Sequence, residues 1–273
     1  MSIGTDTNRD AATGRSGRVA FLNARGERLV GVLQGDLGPS VAILCHGMMS
    51  NKDGHKHIFL AQELAQRGIA NLRFDFAGRG ESEGEIFDMT YSRQVEDLEA
   101  AVNHLATLGV QRFGLFGSSM GGAVALLEAA RDERIVAIAT LAAVGHPAAM
   151  GERYPEHVRS WNERGFIEFE GARIGRGFYD DALQHDVLSA VRVLRAHLLI
   201  VHGDRDEVVN VADAHDIAIA ARHATLDIVA EADHRFSSLP AMRSAMRQVA
   251  DFLAQHLNEG ARGAGAPQGF AAS

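Results

Sequence analysis

Phe113-Gly114-Leu115-Phe116-Gly117-Ser118-Ser119-Met120-Gly121-Gly122 is an apolar run that ends in glycines and serines, and the small residues Ala123, Val124, Ala125, Leu126 and Leu127 follow at once. Read locally, this is a strand, a sharp turn and a helix. Gly117 to Gly121 fits G-x-S-x-G with Ser119 at the centre. The spacing has a physical reason. A serine hydroxyl that attacks a carbon must stand clear of the backbone, and a tight turn lifts it. That turn presses the residues two before and two after the serine against each other, which only glycine tolerates. The N–H after the serine then sits at a helix start, where donors are unpaired and the dipole favours anions. In a chain with 29 glycines the pentapeptide alone is equally well a turn without chemistry. Its meaning depends on what lies around it.

Working outward, the elements on either side alternate. Val41 to Cys45 is a continuous apolar run, as expected of a strand buried on both faces. A helix over 55–67, a strand over 69–74 and a glycine-rich loop, Asp75-Phe76-Ala77-Gly78-Arg79-Gly80-Glu81-Ser82-Glu83-Gly84, come next. Val95, Leu98, Val102 and Leu105 step by three and four residues, which predicts an amphipathic helix over 92–108. Beyond Ser119 the pattern predicts strands at 135–141, 198–201 and 225–229, with helices over 211–221 and 239–257. Upstream, 18–23 and 29–34 read as an antiparallel hairpin. Strands alternating with helices imply an α/β protein, a mostly parallel sheet covered on both faces. Ligands in such sheets sit at the carboxyl ends of the strands. His46-Gly47, Asp75, Ser119 and Asp206 all fall at such ends.

One segment breaks the alternation. Residues 146–190 hold Tyr154, Trp161, Phe166, Phe169, Phe178 and Tyr179, with a small hairpin expected around Glu170-Gly171. An insertion near the nucleophile's end of the sheet reads as a lid, the alternative being a surface excursion whose aromatics pack on each other. Trp161, Phe166, Phe169 and Tyr179 are the candidate substrate contacts. The expected organisation is a flexible tail over 1–17, a core over 18–145 and 191–257, the lid over 146–190, and a disordered tail over 258–273.

Composition narrows the functional classes. The 273 residues carry a net charge of −8, with no basic block, so nucleic acid is not an expected partner. The lone Cys45 allows no intramolecular disulfide. No segment approaches 18 apolar residues and the first residues lack an apolar core of signal-peptide length, so a soluble, cytoplasmic protein without membrane contact is expected. No cofactor or metal is expected: His55-x-His57 lacks further ligands at metal spacing, and Gly78-Arg79-Gly80 has no Walker lysine. The expected partner is a small-molecule ester, and a homodimer is compatible with the sequence.

A serine hydroxyl needs a general base. With 13 histidines, residue type selects nothing; position does. His234 follows the last expected strand and precedes the last helix, in a loop returning to the strands' carboxyl end. An acid is expected between Ser119 and His234, and the loop after Val201 offers Asp204, Asp206 and Glu207. His46 and His202 read as strand-end residues bonded to nearby loops, and Asp75 as an organiser of its loop.

With these residues in place, the chain resembles the α/β-hydrolases over residues 18–257. The matching features are His46-Gly47, Asp75-x-x-Gly78-x-Gly80-x-Ser82-x-Gly84, the serine elbow, His202-Gly203-x-x-Asp206-x-x-Val209 and the late His234. The lidded arrangement is similar to the feruloyl and cinnamoyl esterases. The resemblance implies Ser119 as nucleophile, His234 as base and Asp206 as acid, with Asp204 as fallback. It also implies an oxyanion hole from the backbone N–H groups of Met48 and Met120, and hydrolysis of carboxylic esters with short or aromatic acyl groups. Asn210 stands where relatives often have proline, and Asn is a good helix cap. An acyl-peptidase, thioesterase, lactonase or C–C hydrolase on the same residues, or a non-catalytic binding member of the fold, are the alternatives.

Overall fold

A computed structural model describes residues 7–10 and 14–263. Its strands are β1 (Thr7–Asp10), β2 (Gly14–Leu22), β3 (Arg28–Gln34), β4 (Ser40–Cys45), β5 (Ala70–Phe74), β6 (Arg112–Ser118), β7 (Ile135–Leu141), β8 (Phe166–Phe169), β9 (Ala172–Gly175), β10 (His197–Gly203) and β11 (Ala224–Val229). The helices are α1 (His55–Gln66), α2 (Tyr91–Thr107), α3 (Met120–Ala129), α4 (Met150–Arg153), α5 (Pro155–Arg164), α6 (Gly177–Ala182), α7 (Val187–Val193), α8 (Val211–Ala220) and α9 (Leu239–Gly263). The main sheet has the order β1-β2-β3-β5-β4-β6-β7-β10-β11. The β2–β3 and β3–β5 pairs are antiparallel, and every pair from β5 to β11 is parallel.

The central strands show why unbroken apolar runs were needed. Val41, Ile43 and Cys45 of β4 face one apolar layer, and Ala42 and Leu44 the other. The first layer is completed by α2, α3, α7 and α8 through Val95, Leu98, Val102, Val124, Val191 and Ile217. The second is completed by α1 and α9 through Leu60, Leu64, Met242, Met246, Val249 and Leu253. A strand buried on both faces loses its alternation because both sets of side chains leave water. Caps fix two helix starts. Thr90 Oγ1 accepts from Arg93 N at 3.1 Å to open α2, and Asn210 Oδ1 accepts from Ala212 N at 2.9 Å to open α8.

Three boundaries differ from the expected ones. β1 pairs with residues 14–17 of β2, extending the sheet into the stretch read as a tail. Residues 1–6 and 11–13 of that stretch lie outside the described residues. α9 continues to Gly263, across the expected start of the second tail, and 264–273 lie outside the described residues. The expected boundary between 190 and 191 falls inside α7, whose Val187 and Val191 pack in the first apolar layer, as Trp161, Ile167, Ile174 and Phe178 also do. The segment from His146 to His185 therefore forms the excursion proper, holding α4, α5, the β8–β9 hairpin and α6. No helix among the described residues is long and apolar enough to cross a membrane.

Candidate active site

Because β4, β5, β6, β7, β10 and β11 run parallel, the loops after β4, β5, β6, β10 and β11 gather at one edge of the sheet. The loop after β6 is the serine turn. Ser119 has φ 54° and ψ −123°, a conformation that side chains other than glycine rarely adopt. A Cβ on Gly117 would lie 2.3 Å from Gly121 O, and one on Gly121 would lie 2.4 Å from His46 O. Both neighbours are backbone, so nothing can move aside cheaply. The two glycines are thus what lets the turn close and present the Ser119 side chain.

The structure brings the three dispersed candidates together. His234 Nε2 lies 3.1 Å from Ser119 Oγ, and His234 Nδ1 lies 2.7 Å from Asp206 Oδ2. A carboxylate accepts, so Nδ1 carries the proton and Nε2 is left as an acceptor for the serine O–H. Asp206 is fully buried. Burial alone would raise its pKa, but hydrogen bonds from His202 and His234, and one from the Val209 N–H, hold it well below the usual carboxylate range. His202 Nε2 reaches Asp206 Oδ2 at 3.2 Å and Val209 O at 3.0 Å. The N–H groups of Val208 and Val209 donate to Asp206 Oδ1 at 2.9 and 2.8 Å. Asp204, by contrast, is exposed and accepts from Glu231 N at 2.7 Å.

The loop after β4 lies against the serine: a Cβ on Gly47 would meet Ser118 O at 3.3 Å and Ser119 Cβ at 3.4 Å. His46 fixes this loop. Its Nε2 accepts from Phe76 N at 3.1 Å, so its Nδ1 carries the hydrogen and donates to Gly47 O at 2.8 Å. Burial pushes the His46 pKa down to about 4, so the ring is neutral at pH 7. With the Gly47 carbonyl held by His46 and by Ser50 N, the planar trans peptide sets the direction of Met48 N–H. Met120 is the first residue of α3, where N–H groups have no partner within the helix.

Residues 75–82 brace the same loop from below. Fully buried Asp75 accepts from Lys52 N at 2.7 Å, Lys52 Nζ at 2.8 Å and Glu81 N at 3.0 Å. Arg79 donates to the carbonyls of Met49 and Ser50 at 2.6 and 3.1 Å. Lys52, Arg79 and Lys56 were not singled out in the sequence, since each looks like an ordinary surface cation there. Lys52 is in fact 3% exposed. Lys56 Nζ lies 3.5 Å from Ser118 Oγ, and burial pushes its pKa down to about 8. The one available signal was proximity in sequence to the strand ends.

The aromatic candidates divide. Trp161 is 1% exposed, donates through Nε1 to Ile174 O at 3.0 Å and stacks on Tyr179 at 5.4 Å. It packs the inside of the excursion rather than facing a cleft. Phe166 lies between the guanidinium groups of Arg164 and Arg173, at 4.5 and 4.7 Å from its ring centre. Phe169 and Tyr179 are only partly buried, in the same apolar cluster as Met48, Met49 and Met150. The two histidines at 55 and 57 diverge: His55 is exposed, whereas His57 is buried edge-on against Phe116 at 5.7 Å.

A nine-stranded sheet of this order, layered by helices and crowned by a serine turn, has the α/β-hydrolase fold, and the chain is similar to esterase- and thioesterase-type proteins. A family model described as serine aminopeptidase, S33, matches residues 40–167. An uncharacterized 31.7 kDa protein of Escherichia coli is 33% identical over 113 residues, which is 39% of this chain and 38% of that protein. The chain thus spans well under half of that relative's length. The mitochondrial palmitoyl-protein thioesterase ABHD10 of Mus musculus is 27% identical over 209 residues, 71% of this chain and 68% of that one. Among solved structures, Est1E from Butyrivibrio proteoclasticus, holding ferulic acid, superposes with a TM-score of 0.78 at 22% identity, over 87% of this chain and 99% of that one.

Proposed function

We propose that the protein is a serine-dependent hydrolase of carboxylic esters that works through an acyl-enzyme. The observation that carries this is the line of Asp206, His234 and Ser119 at 2.7 and 3.1 Å. Ser119 Oγ attacks the ester carbonyl carbon while His234 Nε2 takes its proton. The imidazolium that forms is stabilised by Asp206, which stays ionised. The carbonyl oxygen, now negative, is received by the N–H groups of Met48 and Met120. His234 then passes its proton to the departing alcohol oxygen as the C–O bond breaks. Water repeats the sequence on the acyl-serine and releases the acid. His202 and the Val208 and Val209 N–H groups hold the carboxylate in place throughout.

The acyl group is proposed to be short or aromatic, of the hydroxycinnamoyl type. The partly exposed apolar side chains of Met48, Met49, Phe169 and Tyr179 support this, as does the ferulic acid bound by the superposable Est1E. A thioester is the second reading, supported by the relative named as a palmitoyl-protein thioesterase. The carbonyl chemistry is the same, and a panel of p-nitrophenyl, feruloyl and acyl-thioester substrates separates the two. Ser119→Ala should lower p-nitrophenyl butyrate hydrolysis on the order of 10⁶-fold and abolish fluorophosphonate labelling, with the melting temperature retained. Near-normal turnover by that variant sinks the assignment.

A further inference from the structure

The excursion between β7 and β10 is seated in the first apolar layer by Trp161, Ile167, Ile174 and Phe178, and its outer parts are held to the edge of the sheet by charged contacts. At the tip of the β8–β9 hairpin, Glu170 and Gly171 take φ of 46° and 81°, the two left-handed residues of a tight hairpin turn. That turn projects the Glu170 carboxylate toward Arg235, the residue after His234, and Arg235 Nη2 lies 2.6 Å from Glu170 Oε1. Arg79, which clamps Met49 and Ser50, is also within electrostatic reach of Glu170. A second tether lies further back, where Arg153 of α4 donates to the Val208 carbonyl in the acid's own loop.

One carboxylate is therefore paired with Arg235 and within electrostatic reach of Arg79, two cations that belong to different loops of the site. Arg235 is on the loop that carries His234, and Arg79 is on the loop that fixes the Met48 segment. Phe169 immediately precedes Glu170, so whatever pins the turn also pins that ring. Phe169 is further supported edge-on by His157 at 6.4 Å. A hairpin that is four residues a side has little core of its own; Ile167 and Ile174 seat its base in the first apolar layer, and its tip is placed by such anchors.

We infer that Glu170 is a positioning residue for acyl selection: through its pair with Arg235 it holds the hairpin tip as a pre-set roof beside the Met48 loop, and acyl groups large enough to reach Phe169 bind against that roof. The inference rests on the ester-hydrolase reading above. Pre-setting a loop removes the ordering cost that a large acyl group would otherwise meet on binding, while an acetyl group too small to touch the roof gains nothing. The Glu170–Arg235 pair is largely exposed, with side chains 43% and 74% accessible. Its effect is therefore modest and sensitive to salt.

The test compares KM and kcat for p-nitrophenyl acetate and for a feruloyl or octanoyl ester in wild type and Glu170→Gln, at low and high sodium chloride. Glu170→Gln should raise KM for the large ester about two- to fivefold, with kcat and the acetate parameters moving little. High salt should raise the wild-type KM for the large ester in the same direction and leave that of Glu170→Gln unmoved. The charge-swapped pair Glu170→Arg with Arg235→Glu should recover part of the loss seen with Glu170→Arg alone. Equal changes for both esters, no change for either, or a lower KM for the large one overturns the inference. Fluorophosphonate labelling of wild-type Ser119 is measured alongside. If neither ester is cleaved and the probe does not label, the ester-hydrolase reading has failed instead.

Discussion

The sheet edge that carries Ser119 and the excursion that overhangs it are built on opposite principles. At the edge, each contributing loop is pinned by buried groups: Asp206 by four hydrogen-bond donors, Asp75 by three, and the serine turn by glycines packed backbone to backbone. The excursion has short elements, its interior around Trp161 and Phe178 meets the core at Tyr91 of α2, and its tip is joined to the loops by surface charges such as Glu170–Arg235. Buried polar contacts are costly to break and fix geometry closely, whereas exposed ion pairs are weak and exchange readily. The molecule places rigidity where bonds are proposed to be made and broken, and leaves adjustability where substrates differ.

The largest expected effect attacks the rigid side. Asp206→Asn keeps the shape but presents an amide that can donate to His234 Nδ1, reversing the tautomer. Ester hydrolysis should fall about 10⁴-fold, read as kcat on p-nitrophenyl butyrate. A loss of less than tenfold removes Asp206 from the proposed role. Next comes Asp75→Ala, which removes the one fully buried partner of the Lys52 ammonium, leaving it the partly exposed Glu81 and Asp53, and should cost about 3–5 kcal/mol by denaturant unfolding. A neutral result shows that the brace beneath Met48 is dispensable.

Two further effects sharpen the contrast. Trp161→Ala and Phe116→Ala both empty a fully buried aromatic site, for which about 3–5 kcal/mol is the usual cost. Phe116 sits between the sheet and α9, so its loss should lower the global melting temperature. Loss of Trp161 should instead open residues 150–186 to protease, with a smaller shift in global melting, because a weakly coupled unit can unfold locally. Equal global shifts for the two would merge excursion and core into one cooperative unit. The smallest effect concerns Glu128, on the helix that follows Ser119. Burial, aided by Glu99 and opposed by Arg131, pushes its carboxyl up to about 7, and its Oε2 has no partner. The folded chain then holds a proton that the unfolded chain releases near 4.5. Stability should fall as pH rises from 4.5 to 7 and level off above that. Glu128→Gln should escape that fall, gaining about 2 kcal/mol over wild type at pH 8 and nothing at pH 4.5, by thermal melts at the two pH values.

Much of the fold was legible because the strands of this sheet are buried on both faces and announce themselves as apolar runs. The spacing of Ser119, Asp206 and His234 along the chain was legible through loop position, although nothing local to His234 distinguishes it from the other histidines. What escaped depends on contacts between distant residues. The pairing of 7–10 with 14–17 uses polar and glycine residues with no alternation to read. The extension of α9 beyond 257 runs through a glycine that argues for a stop. Aromatic content marked the excursion as apolar, but not which rings face inward: Trp161 turns to its own interior, and Phe166 to flanking arginines. Lys52 is buried only because Asp75 and Glu81 arrive from elsewhere, at 2.8 and 2.7 Å.

That last knot has a consequence for anyone redesigning the protein. Asp75 grips both the main chain and the side chain of Lys52, and Arg79 grips the carbonyls of Met49 and Ser50, so residues 47–52 and 75–82 are one mechanical part made from two lengths of sequence. Neither length can be exchanged for a homologous stretch by itself. A chimera that swaps only the first is expected to inherit a foreign segment with no seat, and both must be transplanted together for the graft to hold its shape.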